Sequence, residues 1–186
     1  MSKDIFFSLM GVATLFAVSC SNPKASSSGT SADTVKVQKN EPISLGNGYE
    51  ASTDTRVSGH DYHISIRCVA DKRGEVVTDE LGQKFYPNRV EVAIVKDGKE
   101  LLKHSFVKSE FAEHLPEKTA SRMVLQGMSF YEEKSDASYL CFTSLVGEPG
   151  LDGGSAFLVK VSTENGSFSI VPDLKVMEEE GMEEMY

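Results

Sequence analysis

The chain has 186 residues and a formal net charge of −9, with 40% hydrophobic and 25% charged residues. These values are typical of an ordinary globular protein and exclude collagen-like, repetitive and multi-span membrane proteins. The excess of 28 acidic over 19 basic residues argues against a nucleic-acid partner, because phosphate binding needs a concentrated basic surface.

The N-terminal segment has the order of a secretory signal. Lys3 precedes the only long apolar run, residues 5–18, and small residues and Cys20 follow it. The run is shorter than the ~20 residues that cross a bilayer as a helix. Residues 1–19 are therefore predicted to be a signal peptide, and the alternative is a buried N-terminal helix.

The end of this segment, residues 15–20 (Leu-Phe-Ala-Val-Ser-Cys), resembles the lipobox of bacterial lipoproteins, in which a small residue precedes an invariant cysteine. The resemblance implies cleavage before Cys20 and diacylation of its thiol. Two acyl chains hold a protein stably on a membrane without a spanning helix. The implied partner is thus the membrane, reached through the N-terminal lipid.

Residues 20–40 are predicted to form a flexible tether. Residues 26–31 are small and polar and show no periodicity, so they bury too little surface to fold. About twenty such residues reach roughly 25 Å as a flexible coil. Within the tether, Asp33-Thr34-Val35 resembles the O-glycosylation acceptor sequence of Bacteroidota, which makes Thr34 a candidate for modification.

The chain as a whole resembles small Bacteroidota lipoproteins of unknown function, which combine a lipobox, a serine-rich spacer and one β-rich domain. Members destined for the cell surface tend to carry acidic residues just after the cysteine. Residues 21–24 are Ser-Asn-Pro-Lys instead. The resemblance therefore implies a lipid-anchored envelope protein that faces the periplasm in preference to the cell surface.

Residues 41–174 are predicted to form one β-rich domain, because apolar and polar residues alternate along it. The predicted strands are the runs 62–68, 90–95, 101–107, 123–131, 139–146, 156–161 and 167–171. Asp97-Gly98 and Asn165-Gly166 predict tight turns. Run 139–146 is apolar on both faces, as in a central strand.

One helix is predicted at residues 109–115, with Ser109 as its cap and Pro116 after its end. Phe111 and Leu115 would share its buried face. The predicted fold is therefore mainly β, with seven or eight antiparallel strands in a β-sandwich or partly open barrel and one short helix.

Two cysteines remain once Cys20 carries lipid. Cys68 and Cys141 both fall in predicted strands, and an even number in an exported protein permits a disulfide. The alternation argues against this bond and favours the alternative that both are buried free thiols, which act as small apolar side chains.

No metal site, cofactor or catalytic motif is predicted. His60 and His63 are three apart at the start of a strand, where their side chains point to opposite sides. Asp152, with Glu148 nearby, offers too few oxygens for an EF-hand, and a glycine-rich turn is the simpler interpretation. Residues 175–186 are predicted to be an acidic tail, and residues 173–186 carry a net charge of −5.

The leading hypothesis is a non-catalytic binding or scaffolding module in the cell envelope, with an envelope protein as its partner. One alternative is a periplasmic hydrolase with a dispersed acid/base pair, and another is an accessory subunit that pairs through an exposed edge strand. An enzyme would show a deep pocket holding two or more of five residues: Asp61, His63, Glu91, His104 and Asp152. A binding module would show an exposed aromatic patch near Tyr86, Phe130 and Tyr131.

Overall fold

The computed structural model describes residues 41–173, which contain eleven strands and three short 3₁₀ helices. The strands are β1 (Ile43–Ser44), β2 (Tyr49–Val57), β3 (His60–Ala70), β4 (Val77–Thr78), β5 (Lys84–Tyr86), β6 (Asn88–Lys96), β7 (Lys99–Val107), β8 (Val124–Phe130), β9 (Tyr139–Gly147), β10 (Ser155–Ser162) and β11 (Phe168–Pro172). The 3₁₀ helices cover Lys108–His114, Ala120–Arg122 and Glu132–Lys134.

Two four-stranded antiparallel sheets form the body of the fold. The first sheet has the order β2-β3-β6-β7 and the second the order β11-β10-β9-β8. A small third sheet, β1-β5-β4, includes one parallel pair, β1 with β5. The predicted mainly-β fold is confirmed, and its architecture is the β-sandwich.

The core lies between the inner faces of the two large sheets and follows from their alternation. Ile64 and Ile66 of β3 and Val92 of β6 are buried from the first sheet, while Phe142 and Phe157 are buried from the second. Side chains at every second position of a strand share a face. In the first sheet, the polar residues between them therefore lie on the outer face.

The predicted central strand is confirmed. β9 lies inside the second sheet between β8 and β10, and residues on both of its faces are buried, among them Leu140, Cys141 and Phe142. A strand that is covered on both faces needs apolar residues at successive positions.

Both predicted turns occur. Asp97 and Gly98 have φ values of 46° and 78°, so the β6–β7 hairpin closes with two residues of positive φ. Gly166 has a φ of 72° in the β10–β11 turn. A Cβ on Gly166 would lie 2.1 Å from the carbonyl oxygen of Leu101 in β7, so this turn approaches the first sheet too closely for any side chain.

The predicted helix is present as the 3₁₀ segment Lys108–His114, and Phe111 and Leu115 are both buried. The predicted cap is wrong, because Ser109 lies inside the segment. The carboxylate of Glu110 instead accepts a hydrogen bond of 2.9 Å from the backbone N–H of Val107. A carboxylate at this end satisfies a donor that the helix itself leaves unpaired.

Two features of the fold carry no apolar alternation and were not predicted: β2 and the small third sheet. β2 is a nine-residue edge strand whose residues are mostly exposed. Within residues 41–173, no helix combines the length and the apolar character needed to cross a membrane.

Candidate functional site

The most exposed of the long strands is the edge strand β2. It pairs with β3 on one side only, and seven of its nine residues are exposed, six of them in the consecutive stretch from Tyr49 to Asp54. Among the described residues, no backbone group of β2 bonds to any segment other than β3. An edge of this length presents a row of unpaired N–H and C=O groups to the solvent.

The β2–β3 turn sets the register of this edge. Ser58 and Gly59 have φ values of 49° and 88°, which is the backbone of a two-residue hairpin turn. Val57 before the turn is buried and holds the end of β2 against the core.

Part of the inner face of β2 is uncovered. Ala51 and Thr53 stand opposite Ile66 and Ile64, so they face the inner side, yet both are exposed. The inner face of β2 therefore extends beyond the cover of the second sheet.

The outer face of the first sheet carries a row of alternating charges. Glu50, Arg67 and Glu91 occupy neighbouring positions on β2, β3 and β6. Arg67 lies 3.0 Å and Arg89 lies 2.9 Å from the Glu91 carboxylate. Hydrogen bonds from Arg89 and then from Arg67 lower the pKa of Glu91, because they favour its charged form.

A shallow depression of about 410 Å³ lies beside this row, with Ser65 and Ala93 among its lining residues. Glu91 and His104, two of the predicted acid/base candidates, both contribute to its lining. Their side chains do not converge. The imidazole of His104 lies on the inner side, 4.5 Å from the ring of Phe106 and 2.7 Å from the Glu110 carboxylate.

A second pair of candidates, Asp61 and His63, lines another open depression on the same sheet. Asp61 lies 3.7 Å from the guanidinium of Arg56. His63 Nδ1 lies 2.6 Å from Asp54 Oδ1, and His63 Nε2 lies 3.2 Å from Ser65 Oγ. This Ser–His–Asp chain has the connectivity of a hydrolase triad. This chain was not predicted, because Asp54 lies on β2, a strand without apolar alternation.

The triad-like chain is open to solvent. The side chains of His63 and Asp54 are 51% and 87% exposed. A serine nucleophile is effective where water is excluded and where donors stabilise the oxyanion. The geometry therefore gives the connectivity of a proton relay without excluding water from it.

The remaining polar candidates are engaged separately. His60 Nδ1 lies 2.6 Å from Asp97 Oδ2, and the hydrogen bonds from the Asp61 N–H and then from His60 lower the pKa of Asp97. Asp152 is exposed in a glycine-rich turn, and the nearby carboxylate of Glu148 pairs with Arg122 at 3.1 Å. Between residues 41 and 173, no three His, Cys, Asp or Glu residues form a group suited to a metal ion.

Cys68 and Cys141 are both buried free thiols, so the disulfide that the sequence left open is not formed. They lie in different sheets, in β3 and β9. The Cys68 thiol donates to the carbonyl oxygen of Gln126 at 3.8 Å, in the bulge of β8. Burial raises the pKa of both thiols, since it disfavours the thiolate.

The predicted aromatic patch is not exposed. Phe130 lies half-buried with its ring 5.5 Å from that of Phe142, and Lys134 lies 5.0 Å above the half-buried ring of Tyr131. Tyr86 is half-buried in the small third sheet. These three rings contribute to packing, and the exposed edge of β2 is the more accessible surface.

The predicted lipidation site Cys20, the glycosylation candidate Thr34, the tether and the acidic tail from residue 175 lie outside the described residues.

Comparison with known proteins gives a family and no relative of established function. No curated protein matches the chain. The family model described as "Domain of unknown function (DUF4738)" matches residues 28–170, which is well over half of the sequence. The chain therefore belongs to this family.

Proposed function

We propose that the protein is a lipid-anchored component of the bacterial cell envelope and that its β-sandwich is a non-catalytic module that binds protein through the β2 edge. The lipobox-like sequence that ends at Cys20 supports the anchor. The exposed nine-residue edge of β2 supports the binding role and carries the proposal. It is also the feature that the accessory-subunit alternative required.

The open backbone of β2 is the physical basis for this binding role. A β-strand that adds to a free edge gains main-chain hydrogen bonds, while its alternate side chains give specificity. Natural sheets usually blunt a long edge with proline, a bulge, an inward-pointing charge or charged side chains along the edge. β2 has no proline, its inward side chains are uncharged and its pairing with β3 runs without a register shift. Its charges, Glu50, Asp54 and Arg56, all lie on the outer face and are of both signs, so they select among partner strands.

The anchor is tested by membrane fractionation of the full-length protein and its Cys20→Ala variant in a bacterial host. We expect the variant to leave the membrane fraction, because it can carry no thioether-linked lipid. Cys141→Ala is the matched control and should remain in the membrane. Equal membrane retention of Cys20→Ala and the original protein would disprove the anchor.

The binding role is tested with a photo-crosslinking amino acid at Ser52, in the middle of β2, in membranes from the native host. The control position is Glu164, which is exposed in the β10–β11 turn. We expect a discrete protein adduct from Ser52 and none from Glu164. The same adducts from both positions, or none from Ser52, would contradict binding through β2.

A hydrolase is the second candidate, and the hydrogen-bonded chain Asp54–His63–Ser65 is the observation that favours it. Hydrolysis of p-nitrophenyl acetate by the purified protein distinguishes the two. The non-catalytic role predicts that Ser65→Ala and the control Ser105→Ala hydrolyse the ester at the same rate. A rate that falls only in Ser65→Ala would establish the hydrolase instead.

A further inference from the structure

We infer that the β2 edge pairs antiparallel with β2 of a second copy of this chain, around a two-fold axis at Thr53. This inference rests on the proposed binding role of β2 and names its partner. This pairing would join the first sheet of each copy into one continuous eight-stranded sheet. Three properties of β2 together select this register: its backbone direction limits the possible axes, and its length and its charges choose among them.

The backbone direction follows from the neighbouring strand. The carbonyl oxygen of Asp61 in β3 accepts a hydrogen bond of 2.8 Å from the N–H of Asp97, which lies beyond the end of β6. Successive residues of a strand point their backbone groups to opposite neighbours. The backbone N–H and C=O groups of Tyr62, and of every second residue after it, therefore bond to β2.

In β2, the residues opposite those β3 residues are Thr55, Thr53 and Ala51. Their backbone N–H and C=O groups therefore bond to β3. The residues between them point their N–H and C=O groups to the open side. These free residues are Glu50, Ser52, Asp54 and Arg56. An added antiparallel strand must place its own free residues opposite these, so the two-fold axis can pass through only certain positions.

The length of β2 selects one of these positions. Pairing all nine residues of both copies places Tyr49 opposite Val57 and puts the axis at Thr53. In this register the residues opposite each other across the axis are Glu50 with Arg56 and Ser52 with Asp54. Every free residue then faces another free residue, as the backbone requires.

The charges agree with the same register. An axis at Thr53 makes two Glu50–Arg56 pairs of opposite charge, both on the outer face. An axis at Ser52 would place Glu50 opposite Asp54, and an axis at Asp54 would place the two Asp54 side chains opposite each other. Like charges directly opposite destabilise a strand pair, and opposite charges stabilise it.

The inner side of the edge presents the exposed, small side chains of Ala51 and Thr53 to the second copy. Ala51 of one copy would stand opposite Thr55 of the other. The Thr55 hydroxyl donates at 2.6 Å to Glu132 in the 3₁₀ helix Glu132–Lys134, which therefore lies near this end of β2. The methyl group of Ala51 is the smallest side chain that could face it, and pairing would cover the exposed Ala51 and Thr53.

The contact is small, and the anchor supplies its strength. Two nine-residue strands bury less than the ~1,200 Å² of a stable interface, so pairing in dilute solution is weak. Anchoring both copies to one membrane raises their effective concentration without adding a contact. The experiment therefore uses the full-length protein in membranes.

Single cysteines report the register directly. At the axis the two Thr53 residues form a pair without mutual hydrogen bonds, with Cα atoms about 4.5 Å apart, within disulfide range. Under mild oxidation we expect Thr53→Cys to form a disulfide-linked dimer. Ser52→Cys and Asp54→Cys face a different residue of the second copy and should not. No dimer from Thr53→Cys, or more from either control, would overturn the inference.

A charge exchange tests the Glu50–Arg56 pairs in the Thr53→Cys background. Glu50→Arg and Arg56→Glu each place like charges opposite each other and should lower the dimer fraction about tenfold. Co-expressed with different tags, the two variants should cross-link with each other as efficiently as the Thr53→Cys parent. Failure of this rescue would also overturn the inference.

The two proposals can fail separately. If Thr53→Cys forms no dimer while the photo-crosslinker at Ser52 captures a different envelope protein, the second copy is wrong and the binding role of β2 stands. If neither experiment gives an adduct, both are wrong.

Discussion

The hydroxyl of Tyr49 makes two hydrogen bonds with the backbone of Met128, and these bonds join the two sheets at one corner. Tyr49 begins β2 of the first sheet, and Met128 lies in β8, the edge strand of the second. The hydroxyl donates to the Met128 carbonyl at 2.6 Å and accepts from the Met128 N–H at 2.7 Å. One phenol thus satisfies the two backbone groups that an added strand would need at this point of β8.

Tyr49→Phe should destabilise the domain by about 1–3 kcal/mol, because it leaves the buried N–H and C=O of Met128 without partners. Although the Tyr49 side chain is partly exposed, the burial of the rest of it raises its pKa, so the hydroxyl is protonated and available as a donor at neutral pH. Urea denaturation measures the effect. Tyr139→Phe is the control, since the exposed Tyr139 hydroxyl makes no hydrogen bond within residues 41–173. Equal stability of the two variants would show that the bridge contributes nothing.

Proline substitutions test the backbone direction of β2. Ser52→Pro removes an N–H that points to the open edge and should change stability by less than about 1 kcal/mol, because proline is tolerated at that position of an edge strand. Thr53→Pro removes an N–H that bonds to β3 and should cost about 1–3 kcal/mol. Thermal unfolding of both variants decides the matter. A larger loss of stability in Ser52→Pro than in Thr53→Pro would reverse the assignment of the residues whose backbone groups are free.

The β10–β11 turn is predicted to be intolerant of any side chain at Gly166. Gly166→Ala combines a positive φ of 72° with a Cβ that would lie 2.1 Å from the Leu101 carbonyl oxygen, so the turn must move away from β7. We expect Gly166→Ala to lower the free energy of unfolding by more than about 2 kcal/mol. Gly82→Ala is the control for φ alone: its φ is 83° and nothing lies within 4 Å of its Cβ, so the loss should be about 1 kcal/mol. Similar losses for both would mean that the close approach to Leu101 is not maintained.

Glu91 should contribute stability that depends on pH. The hydrogen bonds from Arg89 and Arg67 lower its folded-state pKa below the ordinary value of 4.5. A group with a depressed folded-state pKa stabilises the fold above its unfolded-state pKa, and this contribution is lost as the pH falls through the folded-state pKa. Glu91→Gln should therefore be less stable than the original at pH 7, by less than about 1 kcal/mol, and this difference should shrink as the pH falls below the ordinary pKa of 4.5. Glu164→Gln, without an ion pair in the described part of the chain, should show no such trend. A difference that persists unchanged at pH 2 would contradict this role.

The two buried thiols should resist alkylation in the folded protein. Burial raises the pKa of Cys68 and Cys141, so little thiolate forms at pH 8, and both side chains are almost inaccessible. Mass spectrometry after iodoacetamide treatment should show neither residue modified in the native state and both modified after unfolding. The number of modified residues should be the same with and without reductant. A lower number without reductant would reveal a disulfide.

Most of the large sheets could be predicted from the sequence, and the candidate site could not. Strands β3 and β6 bury one face, so residues 62–68 and 90–95 alternate, and strand β9 buries both faces, so it reads as an apolar run. β2 buries only Val57 completely, so its sequence carries no pattern that marks it as a strand. The one local signal was Ser58-Gly59 immediately before β3, a pair suited to a two-residue hairpin turn. β2 is accessible because it buries few side chains, and for the same reason its sequence lacks the apolar pattern that predicts a strand.

The sequence by itself determined the inner faces of the sandwich and its turns, because the burial of side chains and the need for positive φ at Gly98 and Gly166 act locally along the chain. It also carries the lipobox-like sequence at Cys20, which is a matter of chemistry at a few adjacent residues. Only the tertiary structure decided which strand lies at the edge, that Tyr49 reaches Met128 and that Asp54 meets His63. Those contacts join residues far apart in sequence or on strands without an apolar pattern, and strand order depends on packing between whole sheets, which no local pattern encodes.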